Sequence, residues 1–169
     1  GNTRAWLGAM RLRTLPLALS TTFTGAFLAQ QYLELDVLVL VLTALTTILL
    51  QINSNLANDF GDFEHGTDND ERIGPERALQ SGAISSREMK NGIRLTSSLS
   101  FISGIILIWI VPLDLIAKAV FLLLGSAAIY ASIRYTAGTN PYGYKGLGDV
   151  AVMAFFGFLG VIGAFVCQT

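Results

Sequence analysis

Charge is what this chain has least of. Only 14% of its 169 residues are Asp, Glu, Lys or Arg, whereas a soluble domain carries about a quarter. Hydrophobic residues make up 52% and the mean hydropathy is +0.56. The shortfall argues against an ordinary soluble domain and for a membrane protein. The net charge of −1 selects no class of partner, and no nucleic-acid partner is expected. A single cysteine, Cys167 in an apolar run, excludes a disulfide framework and reads as packing. The single histidine, His65, reads as a solvated loop residue rather than a general base. No cleavable signal peptide is evident, because the first apolar run leads into full-length spans. Low-complexity tracts and strong repeats are lacking. Four glycines fall in 138–148, but neither G-x-x-x-x-G-K-[ST] nor G-x-G-x-x-G occurs, so a nucleotide loop is unsupported.

What is present is a set of long apolar runs. A spanning helix needs about 20 mostly apolar residues. Five candidates fit: about Thr14–Leu33, Val37–Ala57, Leu95–Val111, Leu115–Ile133 and Val150 to the end. The expected fold is an all-α transmembrane helix bundle forming a single domain over 1–169. Pro16 suits a first helical turn, where its missing N–H costs little. Glu34–Asp36 and Pro112–Asp114 read as short outer turns, and 61–94 and 134–149 as the polar loops. Arg4, Arg11 and Arg13 precede span one. Arg72, Arg77, Arg87, Lys90 and Arg94 lie between spans two and three, and Arg134 and Lys145 between four and five. Ten of the eleven basic residues thus fall on one side, and Lys118 alone can snorkel from the other. By the positive-inside rule that side is the cytoplasm, which predicts an integral protein of the plasma (inner) membrane with its N-terminus inside. An odd span count ending in an uncapped apolar helix predicts the N-terminal part of a longer protein.

Residues 55–68 form a polar, acidic block at the end of span two. Ionised carboxylates in hydrocarbon cost several kcal/mol, so acids at such a place usually hold a metal or line a hydrated cavity. At about 100° per residue, with Asn55 at 0°, Asn58 falls at roughly −60°, Asp59 at 40° and Asp62 at −20°. These four share a face. Two carboxylates one turn apart, flanked by amide oxygens, suit a hard cation such as Mg²⁺, with other divalent ions as substitutes. Asn53 is read as lying one turn above this stripe. The EF-hand order of ligands is absent. Arg72 and Arg77 follow the block, and a guanidinium binds phosphate in a bidentate fork. Acid and arginine on one membrane face point to a diphosphate held between metal and guanidinium. Arg87, Lys90 and Arg94 are read as topology signals alone. Tyr130 and Arg134 lie one helical turn apart and share a face.

These residues carry a resemblance. Asn58-Asp-Phe-Gly-Asp62 resembles the N-D-x-x-D motif of the UbiA-type intramembrane aromatic prenyltransferases. Arg77-Ala-Leu-Gln-Ser-Gly82 resembles the R-P-L-x-S-G stretch after it, and Tyr130-x-x-x-Arg134 the Y-x-x-x-K/R motif. Arg13-Thr-Leu-Pro-Leu17, Asn55–Asp62, Gly66-Thr-Asp68, Arg72-Ile-Gly-Pro75, Tyr135-Thr136 and Gly146-Leu-Gly-Asp149 are similar to the naphthoate-accepting branch of that family. The family's third aspartate is Gly66 here, with Asp68 two residues on. The family has about nine spans and a second aspartate-rich motif, which this sequence does not contain.

The resemblance implies an Mg²⁺-dependent transferase. It would move a polyprenyl group from its diphosphate to 1,4-dihydroxy-2-naphthoate with loss of CO₂, giving demethylmenaquinol for menaquinone synthesis. Asp59, Asp62, Asn55 and Asp68 would hold the metal, with Asn58 beside them. Arg72, Arg77 and Arg134 would neutralise the diphosphate, and Tyr130, Tyr135 and Lys145 would position it or the acceptor. Asp59, Asp62 and Arg134 are the expected catalytic residues, and the lipid bilayer supplies the prenyl tail. The alternatives are a relative acting on 4-hydroxybenzoate, homogentisate or haem, and a cation-binding membrane transporter that is no enzyme. The chain alone is expected to be an incomplete enzyme.

Overall fold

The computed structural model describes residues 2–66, 77–134 and 159–169. Among them all regular structure is helical: α1 (Asn2–Met10), a 3₁₀ turn (Leu12–Thr14), α2 (Leu15–Ala29), α3 (Val37–Glu64), α4 (Ser86–Ile110), α5 (Leu115–Arg134) and α6 (Leu159–Cys167). Three of these, α3, α4 and α5, are long and apolar enough to cross a membrane. Spans two to four are therefore present where the apolar runs placed them. The first span is the shorter α2, which carries Pro16 in its first turn. Of the fifth, only α6 falls within the described residues.

The helix ends follow from local chemistry. Asp36 caps α3 by accepting from the Val39 N–H at 3.0 Å, and Asp114 accepts from the Ala117 N–H at 2.8 Å. Ser85 and Glu88 form a reciprocal capping box, which starts α4 nine residues before the expected span. The polar residues from 86 onward are thus helix, not loop. Helix α3 likewise runs on past Ala57. Its 28 residues extend ~42 Å at 1.5 Å each, against a hydrocarbon core of ~30 Å. Its last two turns therefore project out of the apolar layer.

Helix α3 is the centre of the bundle and packs on α4, α2 and α5, while α2 also packs closely on α6. Two apolar clusters bracket it. At the Arg-rich end Ala9, Leu56, Ala57, Phe60, Leu79, Ile84, Met89 and Ile93 pack together, with Trp6 of α1 and Ile133 of α5 against them. At the opposite end Val39, Leu107, Val111 and Cys167 form the second cluster. There the side-chain amide of Gln168 pairs with the Asp36 backbone, accepting from its N–H at 2.8 Å and donating to its C=O at 3.1 Å. Cys167 is buried, in keeping with a packing role. Helix α1, which the sequence pattern did not indicate, lies against α3 through Ala5, Trp6, Ala9 and Met10.

Buried hydroxyl and amide side chains join the helices, as apolar surroundings favour. Thr22 and Thr47 join α2 to α3 at 2.8 Å, and Thr46 and Ser103 join α3 to α4 at 2.7 Å. Asn53 is fully buried. Its Oδ1 accepts from Thr96 Oγ1 at 2.8 Å and Ser97 Oγ at 3.0 Å, and its Nδ2 donates to Ser132 Oγ at 3.1 Å. This corrects its placement above the Asn/Asp stripe. Two residues before Asn55 it is turned about 160° away, toward α4 and α5.

Candidate functional site

The last turns of α3 bring Asn55, Asn58, Asp59 and Asp62 to the Arg-rich end of the bundle. Asn58 and Asn55 line the end of a half-open cavity of about 630 Å³ lined by α2, α3, α4, α5 and α6. The same end is lined by Thr14, Gln51 and Ser54, and the far end by Leu107, Ala164 and Cys167. Between them the walls are Leu, Ile, Ala, Gly, Phe and Thr. The cavity is therefore polar where it meets the motif and mostly apolar along its length.

Asp59 is buried beside this opening, its side chain 3% exposed. It forms ion pairs with Arg11 and with Arg77. Asp62, one turn on and 21% exposed, lies 3.8 Å from the second guanidinium nitrogen of Arg77. A buried carboxylate needs a partner because desolvation disfavours its charged form. Here two cations converge on it.

Each arginine is placed by its own turn. Arg11 ends α1 with φ 49°, the one described non-glycine residue in the left-handed region. Thr14 holds that turn by donating its hydroxyl to the Arg11 carbonyl at 2.9 Å. Asn55 braces it from α3: its Nδ2 donates to the Met10 carbonyl at 2.9 Å and to Thr14 Oγ1 at 3.1 Å. Gln51 Nε2 in turn donates to Asn55 Oδ1 at 3.2 Å. Arg77 enters through a compact turn in which the Ser81 N–H reaches the Arg77 carbonyl at 2.9 Å and the Ile84 N–H that of Ala78 at 3.0 Å. Gly82 supplies a φ of 70° there, and Leu79 and Ile84 bury themselves in the core cluster. The resemblance to R-P-L-x-S-G thus maps onto one anchored turn that aims Arg77 at α3.

Arg134 closes α5, and its neighbour Ile133 packs on the Leu56–Phe60 cluster beside the acidic turn. Arg134 makes no ion pair with Asp59 or Asp62. Tyr130 lies on an exposed face of α5. Asp68, Arg72, Tyr135 and Lys145 fall outside the described residues. His65 ends α3 with its Nδ1 2.8 Å from the Gly61 carbonyl. Lys90 stands over the Phe60 ring at 5.0 Å. Arg11 is the site residue that the sequence pattern did not single out beyond topology. Its one local signal is a position just before the Arg13-Thr-Leu-Pro stretch.

The donor set fits a hard divalent cation in kind: carboxylate and amide oxygens, with no soft ligand among them. It does not fill a coordination shell. Among the described residues no group of three or more His, Cys, Asp or Glu side chains could hold a metal ion. A cation here would draw its remaining oxygens from water or phosphate, as Mg²⁺ commonly does.

Comparison with known proteins gives a consistent result. The model of the UbiA prenyltransferase family matches residues 18–169. A 1,4-dihydroxy-2-naphthoate octaprenyltransferase of Haemophilus influenzae is 49% identical over 168 residues, 98% of this chain and 54% of the relative. The Escherichia coli protein of the same name is 45% identical over 166 residues, again 98% and 54%. One from Mycobacterium tuberculosis is 33% identical, covering 94% and 52%. The chain spans about half the length of the curated relatives it matches. No solved structure matches it.

Proposed function

Because the chain belongs to the UbiA prenyltransferase family, we propose that it forms half of a prenyl-transfer site acting on 1,4-dihydroxy-2-naphthoate in menaquinone synthesis. The relatives' names support the acceptor. The observation that carries the reading is structural: one turn of α3 adjoins both a pair of arginines and a long apolar cavity. A prenyl diphosphate has the same two-ended character. Its tail suits the cavity and its diphosphate the charged end. The ten-to-one distribution of basic residues supports a cytoplasmic charged end in the plasma (inner) membrane.

In this reading Asp59 and Asp62, with Asn55 and Asn58 beside them on the same face of α3, would offer oxygens to Mg²⁺. When bound, that ion neutralises diphosphate charge as it grows on the leaving group. Arg11 and Arg77 add guanidinium donors toward the same charge, and Arg72 and Arg134 are assigned to it as well. The allylic C–O bond breaks with its electron pair on the diphosphate. The electron-rich ring carbon that bears the carboxylate then bonds the allylic carbon. CO₂ leaves, and its bonding pair restores the aromatic ring. Tyr130, Tyr135 and Lys145 are assigned to orienting the diphosphate or the acceptor, and Asp68 to the metal.

Membranes holding the full-length protein should convert labelled prenyl diphosphate and 1,4-dihydroxy-2-naphthoate into a prenylated product with release of CO₂. Asp62→Ala should abolish conversion while leaving the protein inserted and monodisperse. Absence of product from dihydroxynaphthoate, with product from 4-hydroxybenzoate or homogentisate, would overturn the acceptor. Cation flux without any prenyl transfer would overturn the enzyme reading.

A further inference from the structure

The face of α3 that carries Asn55 and Asn58 continues inward as Gln51 and Ser54. At about 100° per residue, with Asn55 at 0°, Gln51 falls at roughly −40° and Ser54 at roughly −100°. Both line the cavity. Gln51 lies one turn, ~6 Å, deeper than Asn55, and Ser54 as much deeper than Asn58, roughly the span of one aromatic ring. The hydroxyls still deeper on this wall are spent within the bundle. Thr43 donates to the Val39 carbonyl, and Thr47 donates to that of Thr43 and shares a hydrogen bond with Thr22. Thr46 donates to the Leu42 carbonyl and shares one with Ser103. Ser54 differs, since its hydroxyl bonds to none of the described residues. Gln51 spends its Nε2 on Thr14 Oγ1 at 3.3 Å and Asn55 Oδ1 at 3.2 Å, and its carbonyl oxygen meets no donor among the described residues.

We propose that Gln51 and Ser54 form the subsite for the hydroxylated aromatic acceptor. The Gln51 carbonyl accepts a ring O–H, and the Ser54 hydroxyl donates to a ring oxygen. A prenyl tail has no polar atom to offer either group, so the ring is the complementary ligand here. The neighbouring helices leave width for it. Thr14 bonds Gln51 and Thr22 bonds Thr47, which sets Ala18, one turn from each threonine, level with Gln51. Asn53 bonds Ser132, which brings Ala131 and Ala128 of α5 to the same depth. All three alanines line the cavity. A flat ring held there lies beside the end that takes the diphosphate, with its reactive carbon toward the allylic carbon. As the ring gives electrons to that carbon, its O–H becomes more acidic and the bond to the Gln51 carbonyl tightens. The amide accepts this hydrogen bond without taking the proton. Gln51 thereby also links the two substrates, because its Nε2 steadies Asn55 in the polar motif.

This inference rests on the prenyl-transfer reading, so its test includes a measurement that needs no turnover. Purified full-length protein in detergent would be titrated by calorimetry, without oxygen, with 1,4-dihydroxy-2-naphthoate and with 2-naphthoate, which keeps the ring and carboxylate but has no hydroxyl. The wild type should prefer the dihydroxy ligand by about tenfold or more, the worth of two hydrogen bonds. Ser54→Ala and Gln51→Leu should each shrink that preference about three- to tenfold. A loss of structure weakens both ligands alike and cancels in the ratio, as in a double-mutant cycle. That cancellation covers the brace on Thr14 and Asn55, which Gln51→Leu also removes, and Ser54→Ala decides alone if Gln51→Leu does not fold. Thr47→Val is the control: it lines the same wall with a spent hydroxyl and should keep the wild-type preference. A preference unchanged in Ser54→Ala and Gln51→Leu overturns the proposal. So does a wild type that binds both ligands equally, or a Thr47→Val loss as large as that of Ser54→Ala. A wild type that shows the preference, and loses it in the two variants, yet transfers no prenyl group defeats the functional reading and leaves the subsite standing.

Discussion

The seam between α2 and α6 offers a substitution whose sign is decided by two opposed terms. Gly25 faces α6 so closely that a methyl group in its place would lie 2.2 Å from the Val161 carbonyl oxygen, 2.8 Å from the Ala164 Cβ and 2.9 Å from the Phe165 N. Ordinary contact begins near 3.4 Å, so the helices must part by roughly 1 Å to admit it. Two of the three obstructing atoms are backbone, which cannot rotate aside. In a helix, Gly→Ala gains about 1 kcal/mol of propensity. Overpacking a filled seam costs about 1–3 kcal/mol, and the rigid carbonyl puts this case at the upper end. The net effect of Gly25→Ala should be a loss of about 1–2 kcal/mol. Gly8 is the control. It is helical too, and no described atom lies within 4 Å of an added methyl, so Gly8→Ala should keep the propensity gain. Cys167 reports the outcome from within, since it is buried at the end of α6. Thermal midpoints in detergent, read with the maleimide-labelling rate of the Cys167 peptide by mass spectrometry, should fall and rise respectively for Gly25→Ala. If Gly25→Ala instead matched Gly8→Ala in midpoint and labelling, the close approach of α2 and α6 would be refuted.

Two further substitutions test the elements that carry the site. Asn53→Leu removes the acceptor for Thr96 and Ser97 and the donor to Ser132. Interhelical hydrogen bonds in membranes are worth about 0.6–2 kcal/mol each, so the thermal midpoint should fall by several degrees, and an unchanged midpoint would show the hub to be idle. Gly82→Val places a β-branched side chain at φ 70°, which costs about 1–2 kcal/mol. It should loosen the turn that delivers Arg77, seen as faster proteolysis within 77–85 and a raised KM for prenyl diphosphate. Faster proteolysis with an unchanged KM would separate Arg77 from substrate binding.

The spans were legible because apolar runs of 20 residues have few alternatives. Spans two to four match α3, α4 and α5 to within a few residues at their apolar ends. The polar ends were not equally legible. Helix α4 starts at Ser86 because Ser85 and Glu88 cap it, a spacing that the sequence displays openly but that hydropathy alone passes over. Asn53 was misplaced by proximity in sequence, whereas its angle around α3 puts it on the side facing α4 and α5. Arg11 was hidden for a different reason. Its ion pair with Asp59 joins residues 48 apart, and no periodicity encodes a contact made by the left-handed turn between two helices. The shared face of Asn55, Asn58, Asp59 and Asp62 was legible, since helical arithmetic sufficed. Which of them is sealed and which is open was not, because burial depends on α1 and on the 77–84 turn closing over Asp59.

The charge count of this face bears on how a polyanion could bind there. Arg11, Arg77, Asp59 and Asp62 together sum to zero, so the arginines alone give no net attraction to diphosphate. The wider stretch 55–77 carries seven acids against two bases, a net −5. Local acid density of this kind concentrates divalent cations. The same arithmetic explains why an anchor is needed. Free arginines in an acidic neighbourhood would pair with whichever carboxylate lay nearest. Both arginines pair with the one buried acid, Asp59, and Arg77 reaches Asp62 as well at 3.8 Å.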